Sequence, residues 1–424
     1  MEIEFQAKLK KVAVLGAAGK MGSGISLLVV ALLAAEKVML IDTRSEALND
    51  LLHYLKEQLH KKAEKGELSY AQIEHALARV ETSTAVASAK GATTVFEAII
   101  EHFPLKAELF LQLDALCGDK TIYFSNTSSI PICKLEKLAT LQGRVMGFHF
   151  YNPPAIQKMV EVVKTEKTKE EVLALATFLG KEFHKILIPA NDVAGFIGNG
   201  HLMREGLYAI NEALLLEKQI PEDRPAFASS IHALNSITKE YLLRPMGIFQ
   251  LIDYIGLDVF QAILKVMWEE DQTLHSPLID QLLKDGVRGG QYPDGTQKDG
   301  FLQYTKSKPI GVYELYRKQY LPFEQLQATT EALLDPRPLD HTSCSWKLLL
   351  NESPQERERK LSLYFQNLFL LQTPGAKLAK AYLLASRKIA LQLLVTGACD
   401  DIESVNAVLI HGFHHLYGPI NNYY

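Results

Sequence analysis

The sequence predicts an α/β domain at the N-terminus, followed by all-α domains at the C-terminus. Short apolar, strand-like runs alternate with helix-like segments as far as Pro189, and helical patterns dominate beyond it. Such alternation is typical of a parallel sheet covered by helices. The chain has 424 residues, enough for two or three domains. We expect domains at residues 8–188 and 189–320, and then, at 321–424, a linker with a degenerate second helical copy.

The composition excludes several classes of function. The chain is 47% hydrophobic and 22% charged, with a net charge of −4, so no basic excess is available to neutralise the phosphates of a nucleic acid. The longest apolar run, residues 25–35, is too short to span a bilayer, and the first residues show no secretory pattern. Four separated cysteines fit a reducing compartment. We therefore expect a cytoplasmic protein without a membrane span.

A nucleotide-binding unit is predicted at the start of the chain. A strand-like run at 11–15 precedes a glycine turn, an uninterrupted apolar helix pattern follows, and a second strand-like run at 38–41 ends at Asp42. The residues of the turn are Gly16, Gly19, Lys20, Met21 and Gly22. Such glycines let the backbone approach a pyrophosphate at the N-terminus of the helix. The alternative is a plain glycine turn within a parallel sheet.

The acid at the end of the second strand predicts which dinucleotide binds. Asp42 lies 20 residues after Gly22, the spacing at which a carboxylate usually binds the ribose hydroxyls. Its charge would repel a 2′-phosphate, so the pattern favours NAD over NADP. Arg44 weakens this preference without reversing it.

A helical insertion is predicted at about residues 45–80, between the second and third strands. The segment is rich in Lys, Glu and Gln, and Lys61, Lys62 and Lys65 form a local basic patch. Such a patch is either a solvated helix face or a binding site for the anionic tail of a substrate.

Charged and polar side chains follow two further predicted strands. Glu97 and Glu101 belong to the first of these strands, and Lys106 follows it. The second strand runs into the polar cluster Asn126, Thr127, Ser128 and Ser129. Ligands of open α/β sheets bind at such strand ends, so these residues are expected to line a cofactor cleft. An exposed salt bridge is the alternative for Glu101 and Lys106. The polar cluster is expected to cap the next helix, which is compatible with its forming a pocket wall.

A candidate acid–base pair lies within residues 145–163. His149 precedes a Pro-Pro turn, and Glu161 lies on the apolar segment that follows. The turn can fold this segment back, so that the carboxylate meets the imidazole. A histidine held by a carboxylate is the usual general base near neutral pH. The alternative is a structural histidine. No metal is expected, because the histidines lack ligand spacing.

These motifs together resemble the L-3-hydroxyacyl-CoA dehydrogenase family over about residues 10–304. The matching motifs, in order, are the glycine turn, VFEAIIE with Lys106, SNTSS, GFHFYNPP, KMVEV, GFIGN and RPMGIFQLIDYIGLD. The resemblance implies a Rossmann-like domain followed by a helical domain. It also implies NAD-dependent oxidation of (S)-3-hydroxyacyl-CoA to 3-ketoacyl-CoA in fatty-acid β-oxidation. The glycine turn is one residue longer than the GxGxxG of the family, and Gly200 replaces a common arginine.

The resemblance implies a role for each matching residue. His149 would take the proton of the 3-hydroxyl group, and Glu161 would orient the imidazole. Ser128 and Asn199 would complete the catalytic set by hydrogen bonding around the reacting oxygen. The implied cofactor-binding residues are Gly16, Gly19, Lys20, Met21, Gly22, Asp42, Glu97, Lys106, Asn126 and Asn152. With coenzyme A as part of the implied substrate, the basic patch of Lys61, Lys62 and Lys65 becomes its predicted binding site.

The C-terminal part of the chain resembles a second helical copy. Residues 320–360 are predicted to be irregular, and residues 380–420 to repeat the helical domain, as in long-chain β-oxidation proteins. We expect a homodimer or a pseudo-dimer within one chain, and an enoyl-CoA hydratase as a partner. Two alternative functions are a related hydroxyacid dehydrogenase that does not use coenzyme A, and a non-catalytic partner subunit of a β-oxidation complex.

Overall fold

The computed structural model describes residues 2–292, 294–334 and 344–424. The chain forms two compact units. The first comprises Met1–Ile197 and Gly397–Asp400, and the second comprises Gly198–Thr396 and Asp401–Tyr424. The first unit therefore extends beyond residue 188, where the sequence pattern changes. Within the described ranges, no helix is both long and apolar enough to cross a membrane.

The first unit is built on an eight-stranded sheet. Its strands are β1 (Lys11–Leu15), β2 (Lys37–Ile41), β3 (Val80–Ser83), β4 (Thr94–Glu97), β5 (Ile122–Ser125), β6 (Val145–Phe150), β7 (Met159–Lys164) and β8 (Ile186–Asn191). Their spatial order is β3-β2-β1-β4-β5-β6-β7-β8. Neighbouring strands are parallel, except for the antiparallel pair β6 and β7. The C-terminal ends of β1 to β6 and the start of β7 therefore lie at one edge.

Helices connect these strands. They are α1 (Glu2–Lys8), α2 (Lys20–Leu32), α3 (Ser45–Glu64), α4 (Tyr70–Ala78), α5 (Phe103–Cys117), α6 (Ile132–Ala139) and α7 (Glu170–Glu182), with a short 3₁₀ helix at Val86–Ala89. The helices α3 and α4 lie in the segment predicted to be a helical insertion. Helix α4 begins with a capping box, in which Ser69 and Gln72 each accept a backbone N–H from the other.

Aromatic side chains fill the core under the middle of the sheet. Phe96, Phe124 and Phe148 lie on the neighbouring strands β4, β5 and β6 and are buried. The ring centroids of Phe96 and Phe124 are 5.4 Å apart, and those of Phe124 and Phe148 are 5.3 Å apart. Such aromatic pairs add about 0.5–1.5 kcal/mol each beyond their buried area. This packing fixes the strands whose ends carry the polar residues described below.

The second unit is mainly helical. Its helices are α8 (Gly198–Glu217), α9 (Ala226–Ser236), α10 (Ile248–Ile255), α11 (Leu257–Trp268), α12 (Pro277–Lys284), α13 (Phe323–Leu334), α14 (Trp346–Leu350), α15 (Pro354–Leu370), α16 (Pro374–Val395) and α17 (Ile402–Gly412), with a π-helical turn at Ile237–Tyr241. The predicted fold class is confirmed: a parallel-dominated α/β domain precedes a helical one.

Two features of the second unit differ from the sequence-based expectation. A three-stranded antiparallel sheet is present, made of β9 (Leu302–Thr305), β10 (Lys308–Glu314) and β11 (Gln319–Pro322). The prediction of an irregular segment at 320–360 is wrong where α13, α14 and the start of α15 lie. Each of α14 and α15 begins with a serine that caps it, Ser345 and Ser353. Residues 335–343 of this segment lie outside the described residues.

A glycine–asparagine contact occurs twice in the second unit. A Cβ atom added at Gly247 would overlap the side-chain amide of Asn235 on α9. A Cβ atom added at Gly418 would overlap the side-chain amide of Asn406 on α17 in the same way. Each amide oxygen also accepts a backbone N–H just after the glycine, from Gln250 in the first case, at 3.1 Å, and from Ile420 in the second, at 3.1 Å. This parallel supports the predicted second helical copy.

Candidate active site

The glycine turn brings the backbone of three segments into close contact. Gly16 has a φ of 71°, and a Cβ atom there would overlap the carbonyl group of Ala98. A Cβ atom at Gly22 would overlap the carbonyl oxygen of Gly16. Gly19 immediately precedes α2 and has no side chain that could cover the first N–H groups of this helix. These N–H groups suit a phosphate, so the turn fits a dinucleotide.

Asp42 is held at the C-terminal end of β2 by backbone N–H groups. Its Oδ2 accepts the N–H of Ala18 at 3.1 Å, and its Oδ1 accepts the N–H of Arg44 at 3.2 Å. The glycine turn and the acid are thus joined by a hydrogen bond. Gly16, Gly19 and Asp42 line the same cavity of about 720 Å³, which is a size suited to a cofactor. Lys20 and Met21 lie in the first turn of α2.

Glu97 and Lys106, which the sequence assigns to NAD binding, form a buried ion pair. Their side chains are 0% and 1% exposed, and Lys106 Nζ lies 2.6 Å from Glu97 Oε1. Lys106 Nζ also lies 3.5 Å from Glu101 Oε2, so the alternative salt bridge between these two residues is present, but Lys106 is buried and not exposed. Burial lowers the pKa of Lys106, but the carboxylates of Glu97 and Glu101 outweigh burial and raise it overall. Ser125 donates from its hydroxyl to Glu97 Oε2 at 2.6 Å.

Glu101 fixes the loop that follows β5. Its Oε1 accepts the hydroxyl of Thr127 at 2.7 Å, the N–H of Ser128 at 2.8 Å, and the N–H and hydroxyl of Ser129. Burial raises the pKa of Glu101, but the charge of Lys106 and these hydrogen bonds lower it overall. Glu101 therefore holds the backbone of Ser128 in place.

The hydroxyl groups of this loop do not cap the next helix. The first N–H groups of α6, those of Ile132 and Cys133, are accepted by the carboxylate of Asp192 instead. The prediction of capping is therefore wrong, since a carboxylate distant in sequence occupies that position. Asn126 accepts the N–H of Phe150 at 2.8 Å and joins the loop to β6.

His149 and Glu161 lie opposite each other on β6 and β7. Because these strands are antiparallel, the end of β6 and the start of β7 bring the two side chains to the same edge of the sheet. His149 Nδ1 is 3.3 Å from Glu161 Oε1. The imidazole is 6% exposed and the carboxylate is 0% exposed. When Nδ1 carries the proton and donates to Glu161, Nε2 keeps the lone pair that can accept a proton.

Two further donors hold the carboxylate of Glu161. The N–H of Ile197 donates to Oε2 at 3.0 Å, and the hydroxyl of Tyr151 donates to Oε1 at 2.6 Å. The sequence interpretation did not include either residue. The signal for Tyr151 was its position two residues after His149, because this spacing places side chains on the same face of an extended chain. The Ile197 contact had no signal, because it arises from tertiary packing.

The remaining predicted site residues are distributed over both units. Asn152 lies in the turn after β6, and its carbonyl oxygen accepts the side chain of Gln157 at 3.4 Å. Asn199 lies in the first turn of α8, in the second unit. The predicted coenzyme A patch is near the end of α3, where Lys61 pairs with Glu57 at 2.6 Å and Lys62 pairs with Glu67 at 2.7 Å. Lys65 is the C-cap residue of α3.

The fold and the site together define the class of the protein. A phosphate-binding turn, an acid at the end of the next strand and a histidine–carboxylate pair lie along one sheet edge. The first two features suit a dinucleotide, and the third suits proton transfer to or from a substrate. This combination is that of a nicotinamide-dependent dehydrogenase.

Comparisons with known proteins show the family. Residues 11–193 match the NAD-binding domain of 3-hydroxyacyl-CoA dehydrogenases, and residues 228–304 match the C-terminal domain of the same enzymes. A probable 3-hydroxybutyryl-CoA dehydrogenase of Bacillus subtilis is 33% identical over 288 residues, which are 66% of this chain and 94% of that protein. The chain belongs to the 3-hydroxyacyl-CoA dehydrogenase family and is an NAD-dependent oxidoreductase.

Other relatives agree with this assignment. The mitochondrial hydroxyacyl-coenzyme A dehydrogenase of Homo sapiens is 32% identical over 303 residues, 68% of this chain and 91% of that protein. The solved structure of (S)-3-hydroxybutyryl-CoA dehydrogenase from Ralstonia eutropha is 26% identical, with a TM-score of 0.57, and covers 70% of this chain and 100% of that one. The 3-hydroxybutyryl-CoA dehydrogenase of Escherichia coli has the same fold over 97% of this chain and 90% of its own, with a TM-score of 0.68 and 22% identity.

Proposed function

We propose that this protein oxidises (S)-3-hydroxyacyl-CoA to 3-ketoacyl-CoA, with His149 as the general base and Glu161 as its orienting carboxylate. The observation that carries the proposal is the 3.3 Å contact between His149 Nδ1 and Glu161 Oε1, which directs the basic lone pair to Nε2. Bound NAD supplies the acceptor for the hydride that leaves C3 of the substrate.

The residues of this chain account for the rest of the reaction. His149 Nε2 takes the proton of the 3-hydroxyl group while the carbon–oxygen double bond forms. The charge of Glu161 stabilises the resulting imidazolium ion, and the Ile197 N–H keeps that carboxylate in place. Ser128 hydrogen-bonds the reacting oxygen, where preorganised donors stabilise developing charge; the same role for Asn199 stays a prediction from the resemblance. In the reverse direction, the imidazolium ion returns the proton to a 3-ketoacyl substrate. Asp42, the glycine turn and Asn152 bind the cofactor.

The metabolic role in fatty-acid β-oxidation is part of the proposal. A fatty acid oxidation complex subunit alpha of Shewanella baltica is 31% identical over 304 residues, 71% of this chain and 40% of that protein. This likeness supports a role in the same pathway and an enoyl-CoA hydratase as a partner. Lys61, Lys62 and Lys65 are proposed to attract the anionic coenzyme A. The second helical copy is proposed to take the place of a dimer partner. The compartment stays a prediction, since the named relatives include bacterial and mitochondrial proteins.

The test follows NADH absorbance with acetoacetyl-CoA, with a long-chain 3-ketoacyl-CoA and with the corresponding free acid. We expect NADH oxidation with at least one thioester and much slower oxidation with the free acid. His149→Gln should lower kcat by about 10²–10⁴-fold, the usual contribution of general acid–base catalysis. The exposed His53 on α3 provides the control, and His53→Gln should retain the wild-type rate.

Each alternative function has its own outcome in this assay. Equal rates with the thioester and the free acid would indicate a hydroxyacid dehydrogenase that does not use coenzyme A. No oxidation of NADH with any substrate would overturn the proposed activity and favour a non-catalytic subunit. A wild-type rate in His149→Gln would overturn the mechanism while leaving the activity intact.

A further inference from the structure

A tyrosine shares the carboxylate oxygen that faces the candidate catalytic histidine. The hydroxyl of Tyr151 donates to Glu161 Oε1 at 2.6 Å, and His149 Nδ1 lies 3.3 Å from the same oxygen. The ring centroids of His149 and Tyr151 are 5.0 Å apart. Since the Ile197 N–H donates to Oε2 at 3.0 Å, the imidazole and the phenol meet at the remaining oxygen. The tyrosine contact is the shorter of the two.

We propose that Tyr151 is a positioning residue that sets the pH range in which His149 acts as a base. The inference rests on the proposed function, because it assigns His149 to proton transfer. The Tyr151 hydroxyl withdraws part of the negative charge from Oε1 and holds the carboxylate at a fixed distance from the imidazole. A carboxylate with less available charge stabilises the imidazolium ion less.

The phenol can fulfil this role only if it remains protonated. Burial around the hydroxyl raises the pKa of Tyr151 well above its ordinary value, and the charge of Glu161 raises it further. Tyr151 therefore donates to Glu161 throughout the pH range in which an imidazole titrates.

Three charged groups on the elements around the His149–Glu161 pair bind partners outside this pair. Asp192, after β8, accepts the N–H groups of Ile132 and Cys133. Lys185, before β8, donates to the carbonyl oxygens of Pro154 and Gln157. Glu101 accepts donors from the loop after β5. The strands β5 and β8 themselves carry no Asp, Glu, Lys, Arg or His. Tyr151 is therefore an ionisable group through which the Glu161–His149 pair can be adjusted.

The experiment measures the NMR titration of His149 in the protein without substrate, with His149→Gln to assign the resonance. We expect Tyr151→Phe to move the midpoint of the titration up by about half a pH unit. This shift is about a threefold change in the proton dissociation constant of the imidazolium ion. Replacement of Tyr151 by 3-fluorotyrosine, whose hydroxyl is a stronger donor, should move the midpoint down. Opposite shifts from two rings of nearly equal size exclude a packing effect.

Further controls connect the titration to turnover. The acid limb of the kcat/KM profile should move with the NMR midpoint in both variants. In a Glu161→Gln background, Tyr151→Phe should cause no further shift. An unchanged midpoint in Tyr151→Phe, or shifts of the same sign in both variants, would overturn the inference. Absence of turnover in the wild-type protein would overturn the proposed function instead, since the titration needs no substrate.

Discussion

Removal of the charge of Lys106 should destabilise the first unit strongly. The variant Lys106→Met keeps the length of the side chain but leaves two acids without their cation. Lys106 Nζ lies 2.6 Å from Glu97 Oε1 and 3.5 Å from Glu101 Oε2, and Glu97 is 0% exposed. Breaking a buried ion pair by deleting one partner typically costs about 3–5 kcal/mol. Glu97 retains hydrogen bonds from the Ser125 hydroxyl and the Ile99 N–H, so we expect the lower end, about 3 kcal/mol.

The assay is urea unfolding, monitored by circular dichroism and by the loss of NADH binding. NADH binding reports the unfolding of the first unit, which carries the glycine turn. Lys61→Met removes an exposed lysine that also pairs with a glutamate, and it should leave the unfolding midpoint unchanged. The double variant Glu97→Gln/Lys106→Met should recover at least about 1 kcal/mol, because the buried charge is removed together with its partner. A loss below about 1 kcal/mol in Lys106→Met, together with a large rise in the NADH Kd, would refute this reasoning. That outcome would indicate that Lys106 binds the cofactor directly, as the sequence predicts.

Three further substitutions test the cofactor turn and the second unit. Gly22→Ala should weaken NADH binding by at least about tenfold, because the new methyl group overlaps the carbonyl oxygen of Gly16. Fluorescence titration measures the binding, and an unchanged NADH affinity would contradict the close contact. Asp42→Ala should lower the ratio of kcat/KM with NAD to kcat/KM with NADP by about tenfold, which corresponds to a loss of roughly 1.4 kcal/mol of discrimination. An unchanged ratio would argue against the contact between Asp42 and the ribose. Burial lowers the pKa of His232 to about 4, against about 6.5 in an unfolded chain. Burial therefore penalises the protonated imidazole in the folded state, so the free energy of unfolding is highest above pH 6.5 and falls by about 3 kcal/mol as the pH is lowered from 6.5 through 4. His232→Phe should remove this dependence in urea unfolding at several pH values, and an equally steep loss in the variant would refute the assignment.

The nucleotide-binding unit could be predicted from the sequence because its signals are local. The glycine turn, the helix after it and Asp42 lie within a few tens of residues, and each has a distinct steric or electrostatic reason. The pairing of His149 with Glu161 could also be predicted, since the Pro-Pro turn between two strand-like runs implies an antiparallel return. The structure places these two residues directly opposite each other.

The sequence could not show which charged residues would be buried. The prediction that Glu97 and Lys106 bind the cofactor followed from their position at the end of a strand and just after it. Their burial comes from the ion pair between Lys106 on α5 and Glu97 on β4, which the sequence does not show. Strand β9 (Leu302–Thr305) is short and is joined to β10 by a short turn. It therefore shows little of the alternation of apolar and polar residues that predicts a strand. The prolines of the segment after Tyr320 suggested an irregular chain, whereas Pro354 stands in the first turn of a helix, where proline is tolerated.

The two glycine–asparagine contacts constrain how the second unit can change by mutation. At Gly247 and at Gly418 the asparagine amide occupies the space that any side chain would need, so alanine cannot enter either position alone. Replacement of the asparagine alone removes the acceptor of a backbone N–H at each place. A change of the asparagine side chain does not make room either, because the added Cβ atom would still overlap the backbone carbonyl oxygen of Asn235 at Gly247 and the Cβ atom of Asn406 at Gly418. Such pairs can persist in a degenerate copy after most of its other sequence signals have disappeared.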